Sequence, residues 1–108
     1  MRVFPCPYLK GVVELTDERE AHIAETHPDL LPEYIEFIGQ VLAEPDRVRR
    51  SARMSAARLF SRWFDNIRRG KHLVVVVVSE DMPERRHWII TAYLARRLSG
   101  GELEWTKD

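Results

Sequence analysis

A chain of 108 residues with 44% hydrophobic content has room for one core, and one domain over 1–108 is expected. Its apolar run Leu73–Val78 is far too short to cross a bilayer, and MRVFPCPYLKG lacks the apolar stretch of a secretory signal, so the expectation is a cytoplasmic protein with no membrane partner. The single cysteine, Cys6, excludes an internal disulfide and a cysteine zinc site.

A net charge of zero conceals a division along the chain. Residues 1–46 carry three basic and ten acidic side chains, and residues 47–108 carry fourteen basic and seven acidic. Over 47–71, Arg47, Arg49, Arg50, Arg53, Arg58, Arg62, Arg68, Arg69 and Lys71 face only Asp65. Arginine grips phosphate with a planar fork and stacks on bases, so this stripe suits a polyanion. The alternative is that it pairs with the acidic N-terminal half.

Residues 1–15 read as an extended lead-in. Pro5 and Pro7 block helix, and Gly11–Leu15 is at best a short edge strand. A helix over about 16–26 follows, capped by Thr16 or Asp17, carrying acids in its first turn, and stopped where Pro28 disfavours helical geometry at His27. Pro32 and Glu33 open a second helix that Pro45 closes. Tyr34, Ile35, Phe37, Ile38, Val41 and Leu42 fall on one face of it and must be buried.

From Asp46 the period becomes that of strands. Val48 with its arginine neighbours, then 57–64, 71–79 and 86–94 read as four strands joined by short loops, hence an antiparallel meander over 46–95. The third of these, Leu73–Val78, shows no polar alternation and reads as the central strand, covered on both faces. If helices cover one face, the other needs the N-terminal segment, a second subunit as in a homodimer, or a bound partner to keep its valines dry. Ser99-Gly100-Gly101 marks a turn, and 99–108 is a tail that adds a last short strand or packs Trp105 down. The expected fold is α+β, with two N-terminal helices on one face of a four-stranded antiparallel β-meander and room for short edge strands.

Several residues stand out chemically. His22 and His27 flank the end of the first helix, roughly 140° apart around it, so they do not converge on one metal as four-apart histidines would. They suit general acid–base work, or else they cap and pack. In the second strand Arg58, Phe60, Arg62 and Phe64 share a face opposite Leu59, Ser61 and Trp63. An arginine in that apolar run is costly without a partner, which singles out Arg62. In the fourth strand Thr91, Tyr93 and Ile89 share one face, and Trp88, Ile90, Ala92 and Leu94 make an apolar one on which the helices should pack. Thr91 and Tyr93 would then be open to a ligand, or they are ordinary strand formers. Lys71 stands at the entrance to the central strand. There is no glycine-rich phosphate loop, zinc-deaminase signature, nucleophile elbow or carboxylate cluster for a metal-dependent nuclease, so no metal and no cofactor is expected.

In its order of elements and motifs the chain resembles the small PBECR-type domains of phage and mobile-element origin, within the barnase/EndoU/colicin/RelE-like superfamily of metal-independent ribonucleases. The resemblance rests on Val13–Arg19 with His22-Ile23, on His27-Pro28, on Arg58–Trp63, on Lys71–Val76 and on Ile90–Leu94, and it covers about 12–105. It implies a BECR-like fold and a toxin-like endoribonuclease in which a 2′-hydroxyl attacks the adjacent phosphate. One of His22 and His27 would be base or acid, Arg62 and Lys71 would hold phosphate, Thr91 and Tyr93 would orient it, and Arg58 and Arg49 would bind the substrate. RNA and a cognate inhibitor protein are the implied partners. The competing expectation is a non-catalytic module that binds RNA or protein through its open face.

Overall fold

The computed structural model describes all residues from Met1 to Asp108. Its centre is one mixed sheet of seven strands with two helices on one face. β1 (Arg2–Cys6) and β2 (Gly11–Leu15) form an antiparallel hairpin through a 3-10 turn at Pro7–Leu9, where Lys10 takes the left-handed backbone conformation (φ 56°). α1 (Asp17–Thr26) and α2 (Ile35–Ala43) follow. β3 (Arg47–Arg50), β4 (Ala57–Phe64), β5 (Lys71–Glu80), β6 (Arg86–Ala95) and β7 (Glu102–Thr106) complete the chain. The strand order across the sheet is β1-β2-β6-β5-β4-β3-β7.

The α+β class therefore holds, but the four-stranded meander does not. β3 to β6 are antiparallel neighbours, yet β2 adds to β6 in parallel at Glu14–Trp88, and β7 adds to β3 on the far side. The lead-in is a hairpin because Pro5 lies on edge strand β1, where a missing amide proton costs the sheet nothing. The tail is a strand because the segment after β6 crosses β5, β4 and β3 and pairs on the far side of β3.

Thr16 caps α1, its hydroxyl accepting from the Arg19 amide at 3.1 Å, and Asp17, Glu18 and Glu20 sit where the positive end of the helix dipole favours acids. The second helix begins only at Ile35, because turns over 28–34 bury Leu30 and Leu31 in the core. α2 buries Ile38, Val41 and Leu42 and lies tightly on β1: a Cβ at Gly39 would meet the Phe4 ring at 3.2 Å. No helix is long and apolar enough to cross a membrane.

Central strand β5 divides its side chains between two cores. Leu73, Val75 and Val77 join Phe60, Phe64, Ile67, Ile89 and Ala92 beneath the helices. Val74, Val76 and Val78 form a smaller cluster with Ala57 on the opposite face, packed by Leu59, Trp88, Ile90, Tyr93 and Leu98. All three valines are buried within the single chain, so neither the N-terminal segment nor a second subunit or partner is needed to keep them dry. The cover is instead the chain's own crossover, residues 96–101, with the large side chains of β4 and β6.

The expected division of β6 fails at a β-bulge. Val76 pairs with Thr91 but Val77 pairs with Ile89, so Ile90 is an extra residue and the side-chain phase reverses there. Ile89 consequently faces the helices with Ala92, while Trp88 and Ile90 face the opposite side with Tyr93. Trp88 thus does not mark the helix side.

Candidate functional site

The face opposite the helices carries a groove of about 590 Å³. Its floor is apolar, made by Ala57 and Leu59 of β4, Val76 of β5 and Ile90 of β6. One wall is the loop Ser51–Met54 and the other is the crossover turn Ser99–Gly101, with Thr91, Tyr93 and Arg53 supplying the polar chemistry. Thr91 and Tyr93 reach it together because both follow the bulge in β6.

His27 stands beside Tyr93. β2 pairs with β6 only at Glu14–Trp88, and α1, which follows directly from β2, packs against β6. His27 terminates that helix, its amide donating to the Ile23 carbonyl at 2.7 Å while its own carbonyl accepts from Leu30 and Leu31. This places its ring 6.2 Å from the Tyr93 ring, with the planes inclined by 36°. His22 remains an exposed residue of α1.

Behind the turn lies Arg49, only 6% exposed. Its NH1 donates to the carbonyls of Ser99 and Gly100, both at 2.7 Å, whereas its buried Nε and NH2 have no partner. Burial pulls its pKa below the ordinary value, and Tyr93 acts in the opposite sense: its hydroxyl lies close enough to favour the guanidinium's charge but makes no bond of ordinary hydrogen-bond geometry to it. Fully buried Ser61 also has an unpartnered hydroxyl. Ser61 lies opposite Arg47 on one side and Val74 on the other. Further along the same face His72 packs edge-on to Trp63 at 4.9 Å. Burial lowers its pKa, with Arg47 and Arg49 contributing in the same direction.

The other expected site residues are elsewhere. Arg62 is on the helix face of β4, where its guanidinium carbon lies 5.2 Å from the Phe64 ring centroid and NH1 donates to the Glu44 carbonyl at 3.4 Å. Arg58, on the same face, is paired with Glu104 at 2.7 Å. Lys71 donates to the carbonyls of Arg68 and Gly70 and so secures the turn before β5. The reason is the strand alternation itself: Phe60 and Phe64 belong to the helix-side core, so Arg58 and Arg62 point that way, opposite to Thr91 and Tyr93. Of the eight expected residues, His27, Thr91, Tyr93 and Arg49 come together and His22, Arg58, Arg62 and Lys71 do not.

Sequence reasoning missed Arg53 and Ser61 as members of this region. The signal for Ser61 was present, since alternation places it opposite Phe60 with Leu59, but nothing in the sequence shows that the crossover seals it. Within the basic stripe only Arg50 and Arg58 form ion pairs, both with Glu104, so the acidic N-terminal half does not neutralise it. No group of three or more His, Cys, Asp or Glu side chains is arranged to hold a metal ion. Fold and groove define an α+β domain with an arginine-bordered face. Compared with known proteins, the chain matches no family model, no curated protein and no solved structure.

Proposed function

We propose that the groove binds RNA and cleaves it without a metal, by attack of a 2′-hydroxyl on the adjacent phosphorus. The observation that carries this reading is the packing of the His27 ring against Tyr93, which itself lines a groove with Thr91 and Arg53. In-line cleavage needs a group that takes the 2′-hydroxyl proton and another that gives a proton to the departing 5′-oxygen. The His27 imidazole takes the first and the Tyr93 phenol supplies the second. Thr91 donates a hydrogen bond to a phosphate oxygen, and Arg53 meets its charge. The products are a 2′,3′-cyclic phosphate and a 5′-hydroxyl, with atoms and protons balanced and no co-reactant.

The reading is tested by incubating the purified protein with RNA in EDTA and identifying the end groups. Cyclic phosphate ends that accumulate with protein concentration support it, and intact RNA overturns it. A second reading, RNA binding without cleavage, has one observation in its favour: His22, Arg58, Arg62 and Lys71 stand away from Tyr93, leaving His27 as the one of the two expected histidines beside it.

A further inference from the structure

Arg49 is a buried cation for which the chain supplies no anion. A guanidinium has five N–H donors in a rigid fork, and here NH1 alone is engaged, by two backbone carbonyls. The Nε–NH2 edge, the edge that grips an oxyanion in a two-pronged way, is left without a partner in a place water does not reach. An unpaired buried charge of this kind is among the most costly features a fold can hold, so a reason for keeping it is required. Three further groups share its face of the sheet. Arg49 pairs with Leu59 and Arg47 with Ser61, so the buried, unpartnered Ser61 hydroxyl lies diagonally across from Arg49, and Tyr93 and His72 follow on the same face through Val74 and Trp63.

We infer that Arg49 and Ser61, with Tyr93 and His72 beside them, form a socket for a phosphoryl oxyanion beneath the 96–101 crossover. One tetrahedral oxyanion would accept from Nε, NH2 and Ser61 Oγ at once, satisfying every unpartnered buried side-chain polar atom in the protein. The crossover turn, whose Ser99 and Gly100 carbonyls accept from Arg49 NH1, also walls the groove, so an anion would enter from that side. The socket deepens the reading above by naming where a phosphate sits, yet the two fail separately: inorganic phosphate probes the socket without RNA, and the cleavage assay probes the reaction without the socket.

The test is titration of the whole protein with inorganic phosphate against chloride at matched ionic strength, followed by calorimetry and thermal unfolding. Saturable binding with a rise in Tm is expected for the wild type. Arg49→Lys, which keeps the charge but loses the fork, should weaken binding at least about tenfold, and Ser61→Ala several-fold, while Arg19→Ala on the outer face of α1 should bind as the wild type does. If Arg49→Lys does not fold, Ser61→Ala decides. Phosphate behaving as chloride does, or unchanged binding in Ser61→Ala together with any folded Arg49→Lys, overturns the socket. A short oligoribonucleotide that is blocked at its 2′-hydroxyls and displaces phosphate assigns the oxyanion to the RNA backbone. Phosphate binding that this oligonucleotide leaves unchanged assigns it to a free phosphate, and either result carries the socket.

Discussion

The Tyr8 hydroxyl and the Glu104 carboxylate lie 96 residues apart in the chain and 2.5 Å apart in space. Glu104 sits at the irregularity between the two halves of the β3–β7 pairing and also accepts from Arg50 and Arg58. One carboxylate thus ties the last strand to the N-terminal hairpin turn and to β3 and β4. Burial alone would raise its pKa, but the hydrogen bonds from Tyr8, Arg58 and Arg50 outweigh it and hold the carboxyl down from 4.5 to about 2. Burial and the same bond push Tyr8 up to about 12.

A carboxylate with a depressed folded pKa adds stability that is fully present above 4.5 and is lost as pH falls from there towards about 2. Urea unfolding across that window should show the wild type losing stability. Glu104→Gln should be less stable at pH 7 by about 1–3 kcal/mol and much less sensitive to acid. An unchanged acid slope in the variant would show that the network contributes nothing.

His87 gives a second pH dependence at higher pH. It is buried, its Nδ1 is 2.6 Å from Ser79 Oγ, and burial, with Arg85 and Arg58, lowers its pKa. The unfolded chain therefore takes up a proton before the folded one does. Stability should be complete above the ordinary 6.5 and fall as pH drops through it, with a slope of at most about 1.4 kcal/mol per pH unit from this group. His72, also lowered, acts in the same direction. His87→Asn should flatten the profile between pH 7 and 5, and a profile unchanged by the substitution would contradict the assignment.

The two glycines of the crossover should separate by position. Both have positive φ, but a Cβ at Gly100 meets nothing within 4 Å, whereas one at Gly101 would lie 2.8 Å from the Arg50 carbonyl oxygen. Gly100→Ala carries only the left-handed backbone penalty of about 1–2 kcal/mol. Gly101→Ala should cost clearly more and loosen β7, seen as faster amide exchange over 102–106. Equal losses in stability would contradict the close packing of the turn on β3.

What the sequence made legible was local. Thr16 with its acidic followers marks the start of α1, the apolar face of α2 shows its burial, and five consecutive valines mark the centre of the sheet. What it hid depends on pairing between distant segments. Pro5 and Pro7 rule out helix and leave 1–15 as an extended lead-in, and only its pairing with β2 makes β1 an edge strand. The phase of β6 reverses at Ile90 because of its register with β5, which no property of Ile90 announces. Gly100-Gly101 reads as a turn, but that it belongs to a connection crossing three strands and covering Arg49 is a fact of topology. The site was half legible for the same reason. Alternation grouped Arg58 with Arg62 and Thr91 with Tyr93 correctly, and only the packing of Phe60 and Phe64 under the helices shows that the two groups point opposite ways.

The proposal that RNA is cleaved at the contact of His27 with Tyr93, and not around Arg62, is tested most directly by one set of variants in one assay. Initial cleavage rates of a defined RNA in EDTA should fall at least about 100-fold in His27→Ala and at least about tenfold in Tyr93→Phe. His22→Ala and Arg62→Ala should stay within about threefold of the wild type, since His27 and not His22 packs on Tyr93 and Arg62 lies over Phe64 on the helix face. Loss of cleavage in Arg62→Ala with full activity in His27→Ala, both folded, would contradict the account.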